Sequence, residues 1–338
     1  MRVVLDRVTP WRHDLAGCLH ACAGTLLAQG GHTPLDALGS GWHFQYRAGD
    51  FRREEYYLPL APDQSLFGAL APHHRVESTW HRPQDADDGW RQVREAVLRG
   101  TPVAVAVDNH CLPFRPAYQD VHANHLIIVY GFDDERGTAR VMDTVPPRFD
   151  GDIPQSVLRA ARGSGNRGEH ERDMFFADQD ISHRWLEPRL GEPLPAPDRS
   201  AVAASLRHNH QGFTTGDVGP YYSGLPGMAA FLTDIEERHS AAEPVADELF
   251  IVAGAALAST ALHAEWLRMT GARLSTPALT ELGRDVERLA HHWTAVRIMA
   301  ALTRGHEVSA DRLARRHRDL LLDHERVLSA MSDLLEEL

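Results

Sequence analysis

The chain of 338 residues, with 43% hydrophobic and 24% charged side chains, has the composition of a globular protein of one large or two ordinary domains. Its formal net charge of −12 argues against general nucleic-acid binding, because contacts to phosphates need a basic surface. Three cysteines do not make a disulfide framework. The 21 histidines form no His-Glu-x-x-His pattern, so no metal site is expected.

The N-terminal stretch Met1–Arg7 has an apolar run that is too short, and interrupted by charge, for a signal peptide. No apolar run was found to reach the roughly 18 residues that a membrane span needs. We therefore expect a cytoplasmic protein that does not bind membranes. In that reducing compartment a lone cysteine is more plausibly catalytic than structural.

The first predicted helix follows directly on a cysteine. After an edge strand within Met1–Val8, the Ala- and Leu-rich run Leu19–Gln29 predicts a helix that ends at Gly30-Gly31. Cys18 then lies at or near the helix N-terminus, where free N–H groups and the macrodipole favour a thiolate. The alternative is that Cys18 is a small buried helix residue, as most cysteines are.

The middle of the chain predicts mixed secondary structure. In chain order we expect a turn leading into a strand over Leu38–Tyr46, an irregular stretch over Glu54–Leu70, an amphipathic helix over Asp88–Arg99, a buried strand over Thr101–Val107 and a polar loop over Gly163–Gly168.

A β-hairpin is predicted from Leu126–Tyr130 and Thr138–Met142, joined by a turn that Gly137 completes. If the strands pair around Asp134–Glu135, His125 and Asp143 lie on one face as direct or diagonal neighbours. A histidine oriented by a carboxylate is the base half of a nucleophilic triad. The alternative is an ordinary hairpin whose polar ends are solvated.

The composition changes at Glu187–Pro197, which is rich in proline and predicts a domain boundary. The rest predicts five helices, with a tightly packed central one over Val252–Leu262. These helices are expected at Ala201–His210, Gly227–His239, Ala246–Met269, Ser275–Thr303 and Ser309–Leu338.

Cys18, His125 and Asp143 follow one another in the order that papain-like enzymes use, with the nucleophile on a helix and its partners on a sheet. We therefore predict an α+β fold. A papain-like catalytic domain, in which the N-terminal helix packs on an antiparallel sheet, is expected over residues 1–190. An all-α domain is expected over residues 198–338.

The chain resembles the butirosin-biosynthesis H-type acyltransferase family. The resemblance rests on Gly17-Cys-Leu-His-Ala-Cys-Ala-Gly-Thr-Leu-Leu27, Leu38-Gly-Ser-Gly-Trp-His-Phe-Gln-Tyr46, Val107-Asp-Asn-His-Cys-Leu-Pro-Phe-Arg-Pro-Ala-Tyr118, His122-Ala-Asn-His-Leu-Ile-Ile-Val-Tyr-Gly-Phe-Asp133 and Val141-Met-Asp143. It extends more weakly into the helical half through Gly224-Leu-Pro-Gly-Met-Ala-Ala-Phe-Leu232 and the helix around Trp293.

The resemblance implies a cysteine acyltransferase of secondary metabolism, in particular antibiotic biosynthesis. An acyl group would leave a phosphopantetheine thioester on an acyl or peptidyl carrier protein, or coenzyme A, rest on Cys18 and pass to a small-molecule amine or hydroxyl. No cofactor or metal is implied, and the oligomeric state stays open, a dimer included. The alternatives are a cysteine peptidase or amidase, a thioesterase or cyclase with the same triad, and a non-catalytic binding protein.

One departure from the papain-like pattern concerns the oxyanion donor, because Arg12 stands where these peptidases carry a Gln. Candidates are the Cys18 backbone N–H with Arg12, His13 or Asn109, and Tyr46 is a further candidate for substrate contact. Cys22 and Cys111 are rival nucleophiles.

The helical half is expected to pack over the cleft and form much of the acceptor pocket, with the Gly-punctuated loop Asn209–Pro220 as a mobile cover. A basic patch at Arg312–Arg318, or the group Arg47, Arg52 and Arg53, could dock an acidic carrier protein. A solvated helix face is the simpler interpretation of the first of these patches.

Overall fold

The computed structural model describes residues 1–6, 8–49, 52–61, 63–165, 173, 175, 180–216, 221–304 and 308–338. Its strands are β1 (Arg2–Val4), β2 (Gln45–Tyr46), β3 (Val76–His81), β4 (Val103–Asp108), β5 (Asn124–Asp133), β6 (Thr138–Asp143), β7 (Phe149–Pro154), β8 (Trp185–Leu190) and β9 (Tyr222–Ser223). Its α-helices are α1 (Cys18–Gln29), α2 (Pro34–Gly39), α3 (Leu66–Leu70), α4 (Ala86–Leu98), α5 (Gln155–Arg162), α6 (Arg199–Thr214), α7 (Gly224–Ser240), α8 (Ala246–Arg273), α9 (Pro277–Thr303) and α10 (Ala310–Glu337).

The predicted α+β class is confirmed. Seven antiparallel strands form one sheet in the order β3-β8-β4-β5-β6-β7, and β1 pairs with the far end of β5. A region of long helices, α6 to α10, follows the sheet. The five helices predicted for this half are all present, with ends that differ by a few residues.

The sheet separates two apolar clusters, and the Val103–Val107 run shows how the sequence achieves this. Its alanines, Ala104 and Ala106, lie in the cluster that contains α1. Its valines, Val103, Val105 and Val107, lie in the cluster formed with α4 and α5. Because successive strand residues point to opposite faces, small side chains line one face and β-branched ones the other.

The predicted hairpin is present with one correction to its register. Ile128 faces Met142 and Val129 faces Val141, but the register shifts between Val129 and Gly131, so that Gly131 faces Arg140. The assumed single register is therefore correct only at the His125 end, beyond the bulge. An extra residue on one strand re-aims the side chains around it, which sequence alternation does not reveal.

Three strands that the sequence analysis did not identify complete the sheet: β3, β7 and β8. The first four residues of the predicted linker Glu187–Pro197 lie in β8, where Pro188 faces Ser78 of β3. The sheet therefore ends at Leu190, and the connection to α6 begins after it. Of the predicted loop Gly163–Gly168, residues 166–168 lie outside the described residues.

Helix α8 corrects the expectation that no apolar run is long enough to cross a membrane. By length and composition it would suffice, but 72% of its most apolar window is buried inside the protein. It packs as a central helix, as its small-residue stretch Val252–Leu262 predicted, and belongs to a core that runs without interruption from α1 to α10.

Close contact between α2 and α8 depends on Gly39. A Cβ placed there would lie 2.7 Å from the Leu262 carbonyl oxygen and 2.7 Å from the Trp266 Cβ. Such distances cannot be accommodated without backbone movement. Gly39 therefore allows the N-terminal half and the helical half to approach each other closely.

We predict that Gly39→Ala lowers the free energy of unfolding by about 1–3 kcal/mol, the usual cost of overpacking. Chemical denaturation measures the difference. Gly212→Ala in α6 is the matched control, since nothing lies within 4 Å of the added carbon. It should leave stability unchanged or raise it by up to about 1 kcal/mol, because Ala is the better helix former. Equal effects of the two substitutions would contradict the close approach.

Candidate active site

Cys18 is the first residue of α1, as the sequence predicted. Gly17, in an extended conformation, precedes it as the N-cap and offers no side-chain cap, and the first turn contains no acidic residue. The first backbone N–H groups of a helix have no partner within the helix. The Cys18 side chain, 2% exposed, therefore lies beside donors that could stabilise an oxyanion.

His125 is held from both sides by carboxylates. Its Nε2 lies 2.9 Å from Oδ2 of Asp143, and its Nδ1 contacts Oε2 of Glu55. Since both carboxylates can only accept, both ring nitrogens donate in this arrangement. The predicted proximity of His125 and Asp143 at the end of the hairpin is thus confirmed, as diagonal neighbours on β5 and β6.

The thiol, the imidazole and Glu55 form a compact group. Cys18 Sγ, one His125 nitrogen and one Glu55 carboxylate oxygen all lie within 4.8 Å of one another. Asp143 engages Nε2 of the ring, and Glu55 engages Nδ1. The structure therefore brings Cys18, His125 and Asp143 together and adds a second carboxylate.

Arg115 and the Val145 backbone hold the Asp143 carboxylate in place. Its Nη1 donates to Asp143 Oδ2 at 3.1 Å, and the Val145 backbone N–H donates to Oδ1 at 2.9 Å. Burial raises the pKa of Asp143, but the charges of His125 and Arg115 outweigh it, so that the pKa lies below its usual value. Asp143 therefore stays a carboxylate and keeps the imidazole in one orientation.

The resting site holds a thiol beside an imidazolium. Burial raises the pKa of Cys18 above its ordinary value, although His125 lowers it in part, and the charge of Glu55 raises it further. Burial alone would lower the pKa of His125, but Asp143 and Glu55 raise it well above its usual value. The pKa of Cys18 is therefore raised, whereas the helix N-terminus by itself is expected to lower it.

Glu55 is the site residue that the sequence analysis missed. A buried network holds its segment against β5: the Glu55 N–H donates to the Asn124 carbonyl at 3.0 Å, and Tyr56 Oη donates to Asn124 Oδ1 at 2.9 Å. Arg184 binds Glu54 at 2.7 Å and also the Tyr56 hydroxyl. An acidic pair followed by two tyrosines, in a stretch treated as irregular, was the available signal.

The two rival nucleophiles, Cys22 and Cys111, do not line the cleft at Cys18. Cys22 is buried one turn along α1, its Sγ approaches the Leu126 carbonyl at 3.6 Å, and burial raises its pKa well above the ordinary value. Cys111 packs against the other apolar cluster, with α4 and α5.

His122 also belongs to a different network. Its Nδ1 contacts Asp108 Oδ2 at 2.8 Å, and its ring stacks on His110 with centroids 3.9 Å apart. Ser164 donates to the same Asp108 oxygen. The choice of His125 over His122 thus agrees with the structure.

The candidates for oxyanion or substrate contact are dispersed. Arg12 pairs with Asp14 at 3.3 Å, and His13 pairs with Glu265 at 3.0 Å. Tyr46 donates to Glu248 at 3.0 Å within the helical half. Asn109 is the candidate connected to the site, since its Nδ2 donates to Glu55 Oε1 at 3.4 Å.

The helical half forms one wall of the cleft at Cys18, as expected. The cleft has a volume of about 230 Å³. Its other side comes from α1 and from Glu54, Glu55 and Tyr57. The residues from α8 and α9 in the wall are Phe250, Ile251, Gly254, Ala255, Ala258 and Arg297.

The predicted mobile cover Asn209–Pro220 is wrong over its first half. Asn209 to Thr214 are helical, within α6. Asn209 is buried, donates to the Ser40 carbonyl at 2.9 Å and accepts from the Trp42 N–H at 3.1 Å. These contacts tie α6 to the N-terminal half, and residues 217–220 lie outside the described residues.

Cys18, Glu55 and His125 are also the residues whose donor atoms could hold a metal ion. A metal there would have to replace the His125–Glu55 contact and deprotonate Cys18. No metal is needed for the chemistry that a thiol, an imidazole and a carboxylate can perform, which is nucleophilic attack on an acyl carbon.

Residues 17–144 match the family model described as butirosin biosynthesis protein H, N-terminal. No curated protein matches the chain. The matched stretch begins one residue before Cys18 and ends one residue after Asp143, so it contains the whole Cys18–Glu55–His125–Asp143 group. The weaker likeness in the helical half stays a prediction.

We predict that alkylation of Cys18 by iodoacetamide accelerates as pH rises through the alkaline range, because the thiol pKa is raised. Glu55→Gln should shift this rise to lower pH, since it removes a negative charge that disfavours the thiolate. Peptide mass mapping at each pH gives the rates. Glu135→Gln, in the exposed β5–β6 turn, is the control and should not move the profile. A Glu55→Gln profile that coincides with wild type would contradict the assigned role of Glu55.

Proposed function

We propose that this chain, of which residues 17–144 match the family model described as butirosin biosynthesis protein H, N-terminal, is a cysteine-dependent acyltransferase. The match supports a biosynthetic enzyme of the butirosin H type and a setting in antibiotic biosynthesis. The finer assignment rests on one observation. A buried histidine, oriented by a carboxylate, lies within 4.8 Å of a cysteine at an uncapped helix N-terminus.

In the proposed first half-reaction, the resting imidazolium first passes its Nδ1 proton to Glu55. The neutral His125 then takes the Cys18 proton on Nδ1, and the thiolate attacks the carbonyl of an acyl thioester. Because Nδ1 contacts Glu55 in the resting site, binding of the donor has to draw Glu55 away. The N–H groups at the start of α1 receive the developing oxyanion. The proton then passes from His125 to the departing thiol of the donor, and the acyl group remains on Cys18.

In the second half-reaction an amine or hydroxyl attacks acyl-Cys18, and His125 accepts its proton. The bond from the acyl carbon to Cys18 Sγ then breaks, and His125 returns the proton to the departing Cys18 thiolate. The exchange of one thioester for another is nearly isoenergetic, so the first step needs no ATP. Transfer requires that the acceptor be held in place, since well-oriented acceptors reach effective molarities of roughly 10⁵ M or more and outcompete water. We propose that the cleft beside the α8–α9 wall receives the acyl donor first and, once the carrier has left, the acceptor.

The donor proposed here is a phosphopantetheine thioester on a carrier protein. Arg312 and Arg315 are exposed on α10 and suit an acidic partner. The group Arg47, Arg52 and Arg53 is less suited to carrier docking. Arg53 pairs with Asp247 at 3.4 Å, and Arg52 donates to the Leu58 carbonyl. We therefore favour the α10 patch for carrier docking.

A thioesterase or cyclase would share the acyl-Cys18 intermediate and differ only in the acceptor. A peptidase needs a long open groove for an extended chain, whereas helices α8 and α9 close one side of this cleft. A binding protein would have no need for a buried His125–Asp143–Arg115 arrangement, whose desolvation is costly. These differences favour the transferase.

The direct test is intact-mass spectrometry after mixing the protein with an acyl-loaded carrier. We predict an adduct of one acyl mass that maps to Cys18, and none with Cys18→Ala. Cys22→Ala is the matched control one helical turn away and should still acylate. An adduct that persists in Cys18→Ala would contradict the assignment. Free acid without amide product would favour the thioesterase, cleavage of peptides the peptidase, and no adduct the binding protein.

The same assay distinguishes the roles of the residues around Cys18. His125→Ala should slow acylation by roughly 10²–10⁴-fold, the usual effect of removing a general base. Asp143→Asn should be milder or comparable, because the carboxylate orients the ring and does not transfer the proton. His122→Ala should retain most of the rate, with circular dichroism to verify folding. An essential His122 with a dispensable His125 would contradict the proposed site.

A further inference from the structure

Arg297 of α9 is a cation in the wall of the Cys18 cleft. Its guanidinium carbon lies 4.1 Å from the centroid of the Phe250 ring on α8. Within the described part of the chain it forms no hydrogen bond or ion pair, and its Nε is buried without a partner. Burial lowers its pKa, and no carboxylate offsets this effect.

The other arginines near the site are paired. Arg115 binds Asp143 at 3.1 Å, and Arg184 binds Glu54 at 2.7 Å. Buried arginines usually have such partners, because an unpaired buried charge is costly. Arg297 therefore differs from these arginines, because its guanidinium has no hydrogen-bond partner among the described residues and its N–H groups are available to a ligand.

The wall of the cleft is shaped to hold this guanidinium in place. Gly254 lies one helical turn after Phe250, and a Cβ built on it would lie 3.5 Å from Arg297 Nε. The guanidinium thus extends along α8 between the Phe250 ring and the bare backbone at Gly254. A group held this way keeps its fork of N–H donors aimed in a fixed direction.

The carboxylates of the cleft do not neutralise Arg297. Glu54 is engaged by Arg184, and Glu55 contacts His125 and Asn109. Among the described residues that line the cleft, no carboxylate therefore pairs with Arg297, so its positive charge is available to a ligand. Guanidinium groups bind carboxylates and phosphates through two parallel hydrogen bonds, so the chemistry of that ligand is anionic.

We propose that Arg297 is the anion-binding subsite of the Cys18 cleft, where it binds a carboxylate or phosphate group of the acyl donor. This inference rests on the proposed function and names a feature of its substrate. Two parts of a donor could supply the anion: an acid group on the acyl chain, or the phosphate of the phosphopantetheine arm. Both would be drawn into the cleft by the same charge.

The test compares two alkylating reagents on Cys18 of the full-length protein. Iodoacetate is anionic and iodoacetamide neutral, and both attack the same thiol, so any change in the Cys18 pKa cancels in the ratio of their rates. Arg297→Met should lower the ratio of iodoacetate to iodoacetamide rates roughly tenfold or more, the effect expected of one nearby charge in partly buried surroundings. Arg297→Lys should retain part of the preference.

Arg288→Met is the matched control. Arg288 is exposed on the same helix and pairs with Asp285 at 2.6 Å, so its removal should leave the ratio unchanged. If Arg297→Met fails to fold, Gly254→Asp places a carboxylate beside the guanidinium and should lower the ratio in the same way. An unchanged ratio in the folded variant or variants overturns the subsite.

Protection of Cys18 from alkylation by added anions shows which part of the donor supplies the anion. Inorganic phosphate and succinate are each tested, at constant ionic strength, for slowing the iodoacetamide reaction of wild type. Protection by phosphate alone assigns the site to the donor arm, protection by succinate alone assigns it to the acyl chain, and protection by both supports the general anion site. Protection by neither overturns the proposal. Alkylation needs no acyl transfer, so these outcomes are independent of whether the proposed acyltransferase activity is found.

Discussion

The contact of His125 with two carboxylates, Asp143 on Nε2 and Glu55 on Nδ1, is the interaction on which the site depends. It joins three separate parts of the chain: the end of the hairpin, the acidic segment before Tyr56 and, through Cys18, the start of α1. Each carboxylate is fixed in turn, Asp143 by Arg115 and the Glu55 segment by Asn124. Asp143 thereby orients the imidazole before any substrate arrives, which is the preorganisation that catalysis requires.

The sequence predicted the features that depend on local periodicity and spacing. The helical composition of Leu19–Gln29 predicts a helix start at Cys18, and the alternation of strand side chains predicts that His125 and Asp143 lie together. Glu55 could not be found this way, since the contacts that hold it come from residues distant in sequence, such as Asn124 and Asn109. The bulge after Val129 and the strand β8 depend on pairing partners that a single sequence does not identify.

The difference between local and tertiary effects also explains why the pKa of the Cys18 thiol is raised. A helix N-terminus favours a thiolate, but the burial of Cys18 and the charge of Glu55 are tertiary effects, and together they raise its pKa. The helical half is also more than a cover that lies over a separate catalytic domain. Its helices share one apolar core with α1, and α8 and α9 supply the cleft wall and Arg297, so the site belongs to both halves of the chain.

The central claim, that acyl groups pass through Cys18 to an acceptor, is tested most directly by a chase of the isolated acyl-enzyme. The protein is acylated with a labelled acyl group, freed of donor and mixed with a primary amine. The account predicts that the label leaves Cys18 and appears in the amide at least as fast as the overall turnover. An acyl-enzyme that is inert toward the amine, or that releases its label more slowly than turnover, would contradict it.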